Sequence, residues 1–220
     1  MEIYTIGADG LNLRNLSNAL NSDDAFPSWL PDGTKITFCR PEDDGFDIYI
    51  MEADGSNQVH LTEDIEGHTV YSPWISPWSP DGKGFLFHSP EGWVVMDADG
   101  ANKAIIVPAE KEYGDNTPQW SPDSQNIAFV MLEEPEDNEI CIANVDGSDI
   151  VKLTGNEDSE AFLSWSPDSK WIAFQNVPRT GLMLPFTINV IGVDGSGLTT
   201  LAGGLSNDCF RPCWSPVSYK

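Results

Sequence analysis

Short apolar runs of alternating character recur along this chain in a fixed order, each bounded by Pro, Gly, Asn or Asp. One set comprises ITFC (36–39), FLFH (85–88), IAFV (127–130) and IAFQ (172–175). A second comprises IYIM (48–51), WVVM (93–96), ICIA (140–143) and INVI (188–191). A third comprises VHLT (59–62), AIIV (104–107), VKLT (151–154) and LTTL (198–201). Such runs, rich in β-branched and aromatic residues and closed by turn formers, predict strands. No window sustains a 3.6-residue apolar period, so essentially no helix is predicted.

The punctuation between the runs repeats as well. A Trp followed by a Pro turn stands at Trp29, Trp78, Trp120, Trp165 and Trp214, with gaps of 49, 42, 45 and 49 residues. An Asp-Gly turn stands at Asp9, Asp54, Asp99, Asp146 and Asp194, with gaps of 45, 45, 47 and 48. Two independent markers with one period define a repeat. Counting the stretch before each Trp as a strand, each unit holds four antiparallel strands. Four short strands cannot bury both faces of a sheet, so the units must stack face to face, and radial stacking of such sheets is the β-propeller. The Trp, one per unit, is expected to fill the space between adjacent blades. The predicted fold class is therefore all-β: a single propeller domain over 1–220, with blades near 19–62, 63–108, 109–154 and 155–201.

The remaining pieces, 202–220 and 1–18, predict a fifth, closing blade shared by the two chain ends. Complete units place 25, 21, 26 and 29 residues between the Trp and the turn Asp, whereas 15 separate Trp214 from Asp9 across the ends. The shortfall is about one strand with its loop. Five blades with an incomplete last blade is the reading preferred. A fragment of a longer propeller, or a strand supplied by another chain through self-association, are the alternatives.

The order of these elements resembles the TolB-type, WD40-like propeller repeat, which also occurs in propeller domains of prolyl-oligopeptidase-type peptidases. IYIMEADGSNQVHLT (48–62) and WVVMDADGAN (93–102) carry the resemblance most closely, and it extends from Ile3 to Pro216. It implies a non-enzymatic scaffold that binds a protein or peptide, often outside the cytoplasm of bacteria. It also implies two alternatives: a lyase-like propeller acting on acidic polysaccharide, or the propeller part of a peptidase whose catalytic domain is absent.

Composition narrows the partners. Eleven Lys and Arg stand against 35 Asp and Glu, a formal charge of −24, while 40% of residues are hydrophobic. That much apolar material belongs to a folded core, so the acids form its surface. A field this negative disfavours nucleic acid and anionic lipid. The sequence shows no run of 18 apolar residues and no signal-peptide pattern, so membrane insertion is not expected. Four irregularly spaced cysteines leave the compartment open.

Candidate chemistry is sparse. No Gly-x-Ser-x-Gly nucleophile motif occurs, and His60, His68 and His88 fall in different structural contexts. No catalytic residue and no cofactor is predicted. The DADGAN (97–102) and DGSD (146–149) turns resemble pieces of calcium loops without the distal Glu, so a tight hairpin is the preferred reading. Five residues before the repeat Trp lie Asp24, Asp115 and Glu160, with Asp208 one step earlier in its unit. If these acids open the innermost strands, they ring one mouth of the channel. There they either hold a cation such as calcium or accept backbone hydrogen bonds from the next blade. The loops beside them carry His68, Tyr71 and Trp74, then Tyr113, then Phe162, which are candidates for holding a partner.

Overall fold

A computed structural model of the chain describes residues 1–18, 23–42, 45–63, 78–111, 117–133, 137–156, 158–178, 186–203 and 211–215. These gather into two compact units, Met1–Lys103 and Ala104–Lys220.

The first unit opens with a two-stranded pair, β1 (Tyr4–Thr5) and β2 (Arg14–Asn15). A four-stranded antiparallel sheet follows in the order β3 (Ala25–Trp29), β4 (Lys35–Glu42), β5 (Gly45–Glu52) and β6 (Val59–His60). The hairpin β7 (Gly84–Ser89) and β8 (Gly92–Asp97) completes it, with Trp78 bridging to Phe85. The second unit begins with β9 (Ala104–Pro108) and a 3-10 turn over Ala109–Lys111, the one helical element among the described residues. Two four-stranded antiparallel sheets follow. One runs β10 (Gln119–Trp120), β11 (Asn126–Glu133), β12 (Asp137–Asn144) and β13 (Val151–Lys152). The other runs β14 (Ser159–Trp165), β15 (Trp171–Val177), β16 (Thr187–Gly192) and β17 (Thr199–Ala202).

Turn chemistry explains why these segments become hairpins. In each Asp-Gly turn the Gly adopts φ between 78° and 90°, a region open to Gly at no steric cost. The preceding Asp accepts the N–H two residues on, for example Asp54 Oδ1 from Ser56 at 2.9 Å and Asp146 Oδ1 from Ser148 at 2.9 Å. The same bond is made by Asp99 with the Ala101 N–H, so the calcium-like sequences are hairpin turns that use their own carboxylates. The Ser-Pro-Asp turns are built alike. Ser79, Ser121 and Ser166 each donate to the Asp two residues on, at 2.6–2.7 Å, and each accepts two backbone N–H groups that open the next strand. Leu30 occupies the Ser position of the first sheet, where Asp32 binds the Thr34 N–H and hydroxyl instead.

The sheets bury their faces against one another within each unit. Leu30, Ile48, Ile50 and Leu61 of the first sheet pack with Trp78, Phe85, Phe87, Val94 and Met96. In the second unit Ala128, Val130, Ile140 and Leu153 meet Leu163, Trp165, Ile172, Phe174 and Ile191 of the following sheet. The repeat Trp therefore works as expected at Trp78 and Trp165, and the indole N–H fixes its register. Trp78 Nε1 donates to Thr37 Oγ1 at 3.2 Å, Trp165 Nε1 to the Gln119 carbonyl at 3.1 Å, and Trp214 Nε1 to the Ser164 carbonyl at 2.9 Å. Trp29 departs from the rule and is 49% exposed. The two-residue strands β1 and β2 supply Ile3 and Leu16 to a core with Ile36, Phe38 and Met51 that does not reach it.

Candidate functional site at the bulged first strands

The first strands of two sheets share one residue pattern, acid-Ala-Phe-x-Ser-Trp: Asp24–Trp29 on β3 and Glu160–Trp165 on β14. Both carry the same defect in pairing. Ala25 faces Cys39 and Ser28 faces Thr37, so β3 spends three steps where β4 spends two. Ala161 faces Gln175 and Ser164 faces Ala173, an identical bulge. The extra residue in each is the Phe, held in the left-handed region at φ 53° for Phe26 and 51° for Phe162. A bulky side chain there costs on the order of 1–2 kcal/mol, and such strain concentrates where a side chain is being aimed. The Phe26 ring is 37% exposed and meets Phe46 edge-on at 5.9 Å. The Phe162 ring lies under the Arg211 guanidinium, 4.9 Å from its centroid.

Phe162 and Arg211 line a cavity of about 280 Å³ with Thr117, Gln119, Ser164 and Pro212. Its walls are tied together: Gln119 Nε2 donates to the Leu163 carbonyl at 2.8 Å, and Trp165 and Trp214 anchor the Gln119 and Ser164 backbones. The site is thus pre-formed.

Directly before each bulge lies a fully buried acid. In the first unit Asp24 is met by Arg40, whose Nε and Nη2 reach its two oxygens at 2.7 and 2.9 Å. Arg40 also stacks 4.5 Å over Tyr49, and Asp24 holds its guanidinium above the ordinary arginine pKa. In the second unit Glu160 stands opposite Asn176, the position equivalent to Arg40, and receives no cation from it. Asn156 Nδ2 donates to Glu160 Oε1 at 2.8 Å, while a second buried acid, Glu139, sits across Thr154. Thr154 Oγ1 accepts the Ile140 N–H at 2.9 Å and gives its single proton to Glu139 Oε2 at 2.6 Å. Thr154 Oγ1 also stands 3.3 Å from Glu160 Oε2, so its one hydroxyl hydrogen serves both carboxylates. Burial pushes the Glu160 carboxyl up to about 7, and Glu139 adds to the rise against the bonds from Asn156, Asn176 and Thr154.

Of the residues expected at this site, Asp24 and Glu160 hold equivalent places, one in each unit. Asp115, Asp208, His68, Tyr71, Trp74 and Tyr113 lie outside the described residues. Sequence reasoning names Phe162 only as one of several large side chains and passes over Phe26, Glu139 and Arg211. The repeated acid-Ala-Phe-x-Ser-Trp pattern is the signal that finds the two Phe positions. His60 and His88 stay in separate settings: His60 Nε2 is 3.0 Å from Asp47 and stacks on Tyr49, whereas His88 meets Trp93. Among the described residues no three His, Cys, Asp or Glu side chains form a metal-ligand group. No helix among them is long and apolar enough to cross a membrane. Burial raises the Cys39 thiol to about 12, which makes it inert.

No family model matches the chain. An uncharacterized protein of Agrobacterium fabrum is 33% identical over 87 residues, which are 40% of this chain and 27% of that protein. This match therefore spans about a quarter of the relative's length. A structure assigned as TolB from Agrobacterium tumefaciens is similar over 97% of this chain and 78% of its own, at 22% identity and a TM-score of 0.57. An oligogalacturonate lyase from Vibrio parahaemolyticus matches over 90% of this chain and 58% of its own, at 13% identity and a TM-score of 0.63. The dipeptidyl peptidase 4 of Porphyromonas gingivalis matches over 92% and 29%, at 14% identity and a TM-score of 0.71. A fold shared by TolB, a lyase and a peptidase does not by itself select a function. With the repeated Trp and Asp-Gly turns and the stacked four-stranded sheets, these likenesses make the chain a TolB-like β-propeller in fold.

Proposed function

We propose that this propeller is a binding scaffold that holds a protein or peptide partner on the bulged first strands and does no chemistry of its own. The observation that carries this reading is the pair of phenylalanines at positive φ, Phe26 and Phe162, at the same step of the same residue pattern. The positive φ costs stability at both positions, and a ring held there serves a binding surface as a rigid aromatic anchor. The likeness to TolB extends the proposal to a role outside the cytoplasm. A propeller that works as a rigid platform presents its partner site without rearrangement, in keeping with the cross-tied walls around Phe162.

The test compares co-purification from native extract by the parent chain and by the F26G/F162G double variant, followed by mass spectrometry. Glycine relieves the strained φ while deleting the ring, so the fold is kept and the anchor removed. A partner retained by the parent and lost from the variant, at an unlowered melting temperature, is the expected result. Identical partners on both proteins would overturn the reading. The lyase likeness predicts turnover of polygalacturonate by the chain alone, and the peptidase likeness predicts a hydrolase among the retained proteins, so both readings separate from a plain scaffold in the same experiments.

A further inference from the structure

Two arginines among the described residues stack on aromatic rings, and they differ in one respect. Arg40 lies 4.5 Å over the Tyr49 ring and also makes a bidentate pair with the Asp24 carboxylate. Arg211 lies 4.9 Å over the Phe162 ring at the edge of the cavity, and among the described residues no carboxylate completes the arrangement. Stacking uses the face of a guanidinium and leaves the in-plane N–H groups for a planar acceptor. Arg40 shows what such an acceptor is. The cavity beside Arg211 adds the hydroxyls of Thr117 and Ser164 and the amide of Gln119, all groups that hydrogen-bond an oxygen anion. With a volume of about 280 Å³ it lies at the small end for ligand pockets and suits one residue of a longer ligand. A chain of charge −24 repels anions at long range, so a carboxylate enters here through a local built contact and not through the overall field.

We propose that the Phe162–Arg211 cavity is a carboxylate-recognition subsite, taking one carboxylate-bearing residue of the peptide partner into the space between β10, β14 and the 211–215 segment. This rests on the scaffold reading and names the partner chemistry of the same site. The ligand residue stacks beside Phe162, and its carboxylate receives the Arg211 N–H groups as Asp24 receives those of Arg40. The carboxylate comes either from a chain terminus or from an Asp or Glu side chain, and both present the same acceptor.

The experiment is a titration of the full chain, followed by amide NMR shifts, with three probes. Acetyl-glycyl-glycine carries a terminal carboxylate, acetyl-glutamate amide a side-chain carboxylate, and acetyl-glycyl-glycine amide none. Saturable shifts of Thr117, Gln119 and Ser164 by one or both acids, with the uncharged amide at least about tenfold weaker, are expected; the loss is the size of a charge-assisted hydrogen bond. Whichever acid binds better identifies the source. Arg211→Gln should weaken the acids to the level of the amide while leaving the melting temperature unchanged, and F162G should weaken them by removing the stacking shelf. Equal binding of acid and amide, undiminished acid binding by R211Q, or no saturable shift with any probe would overturn the subsite. A partner that R211Q still retains from extract, but F26G/F162G does not, would reject the carboxylate subsite and leave the scaffold reading standing.

Discussion

Glu160 offers the sharpest test of how this fold handles buried charge. Its place on β14 equals that of Asp24 on β3, yet the residue opposite is Asn176 where Asp24 has Arg40. One acid is paired with a guanidinium; the other has only neutral donors, and burial raises its carboxyl. The folded carboxyl lies near 7, against 4.5 for an ordinary glutamate. The folded chain thus keeps a proton, between about pH 4.5 and 7, that the unfolded chain has released. The stabilisation linked to that proton is complete below about pH 4.5, shrinks as pH rises, and is gone above 7. At 1.36 kcal/mol per pKa unit, the full swing is about 3 kcal/mol.

Glu160→Gln removes the titration while copying the protonated form. The amide keeps the shape of the side chain and an oxygen that accepts from Asn156 Nδ2, and it carries no charge at any pH. At pH 5 the variant should melt within about 2 °C of the parent, and at pH 8 roughly 5–10 °C above it, since 1 kcal/mol moves a domain of this size by a few degrees. Repulsion among the surface acids also grows with pH, but it acts on both proteins and cancels in their difference. Melts followed by circular dichroism at matched ionic strength supply the comparison. Asn176→Arg, which installs the residue opposite Asp24, should likewise flatten the parent's pH dependence. A Gln-minus-Glu difference that stays constant from pH 5 to 8 would refute the assignment of the proton.

Three further outcomes follow from the same geometry. At Phe162 and Phe26, Gly should be more stable than Ala by about 0.5–1 kcal/mol in chemical denaturation, the reverse of the usual order in strands, because the cost of positive φ outweighs the entropy that Ala removes from the unfolded chain; Ala equal to or above Gly would show that the bulge is unstrained. Gly55→Ala should cost well over 2 kcal/mol, since a Cβ there falls 2.6 Å from the Leu16 carbonyl oxygen, whereas Gly195→Ala, with nothing within 4 Å, should cost only the φ strain of about 1 kcal/mol; equal costs in thermal melts would contradict the packing of β2 on that turn. Trp165→Phe should lose about 1–2 kcal/mol by removing the indole bond to the Gln119 carbonyl and underfilling the core of the second unit, and a loss under about 0.5 kcal/mol in urea titration would remove the indole N–H from the account.

The hairpins were legible because their turns are local. Asp54 and Ser56, or Ser79 and Asp81, solve a backbone hydrogen-bond problem within two residues, so the pattern survives in every unit. The third run of each unit was less so. β6 and β13 are two residues long because the Thr that closes Leu-Thr leaves the ladder: Thr62 and Thr154 present a hydroxyl to the Ile48 and Ile140 N–H groups and act as caps. The bulges escape a period-two reading because inserting Phe26 or Phe162 changes no composition, only the count of residues against the partner strand. The pairing of Glu160 with Glu139 was illegible for a different reason. They come from separate repeats, 21 positions apart, and nothing local marks a Glu on β12 as the neighbour of a Glu on β14.

In a repeat protein the shared residues and the differing residues answer different questions. What recurs in most units, the Trp, the Ser-Pro-Asp turn and the Asp-Gly turn, is accounted for by hydrogen bonds and packing within and between the sheets, and a similar architecture carries unrelated activities. Function has to be sought where equivalent positions part company. Arg40 and Asn176 part company over the charge of a buried acid. Arg40 and Arg211 part company over whether a stacked guanidinium has its carboxylate. In the first contrast the fold raises the Glu160 carboxyl by burial and offers it neutral donors in place of a cation. In the second, no carboxylate among the described residues meets Arg211, and the cavity walls around it are tied in place. A ligand carboxylate that completes that arrangement gains a charge-assisted pair without reordering the walls, and that asymmetry between free and bound states is what a recognition site consists of.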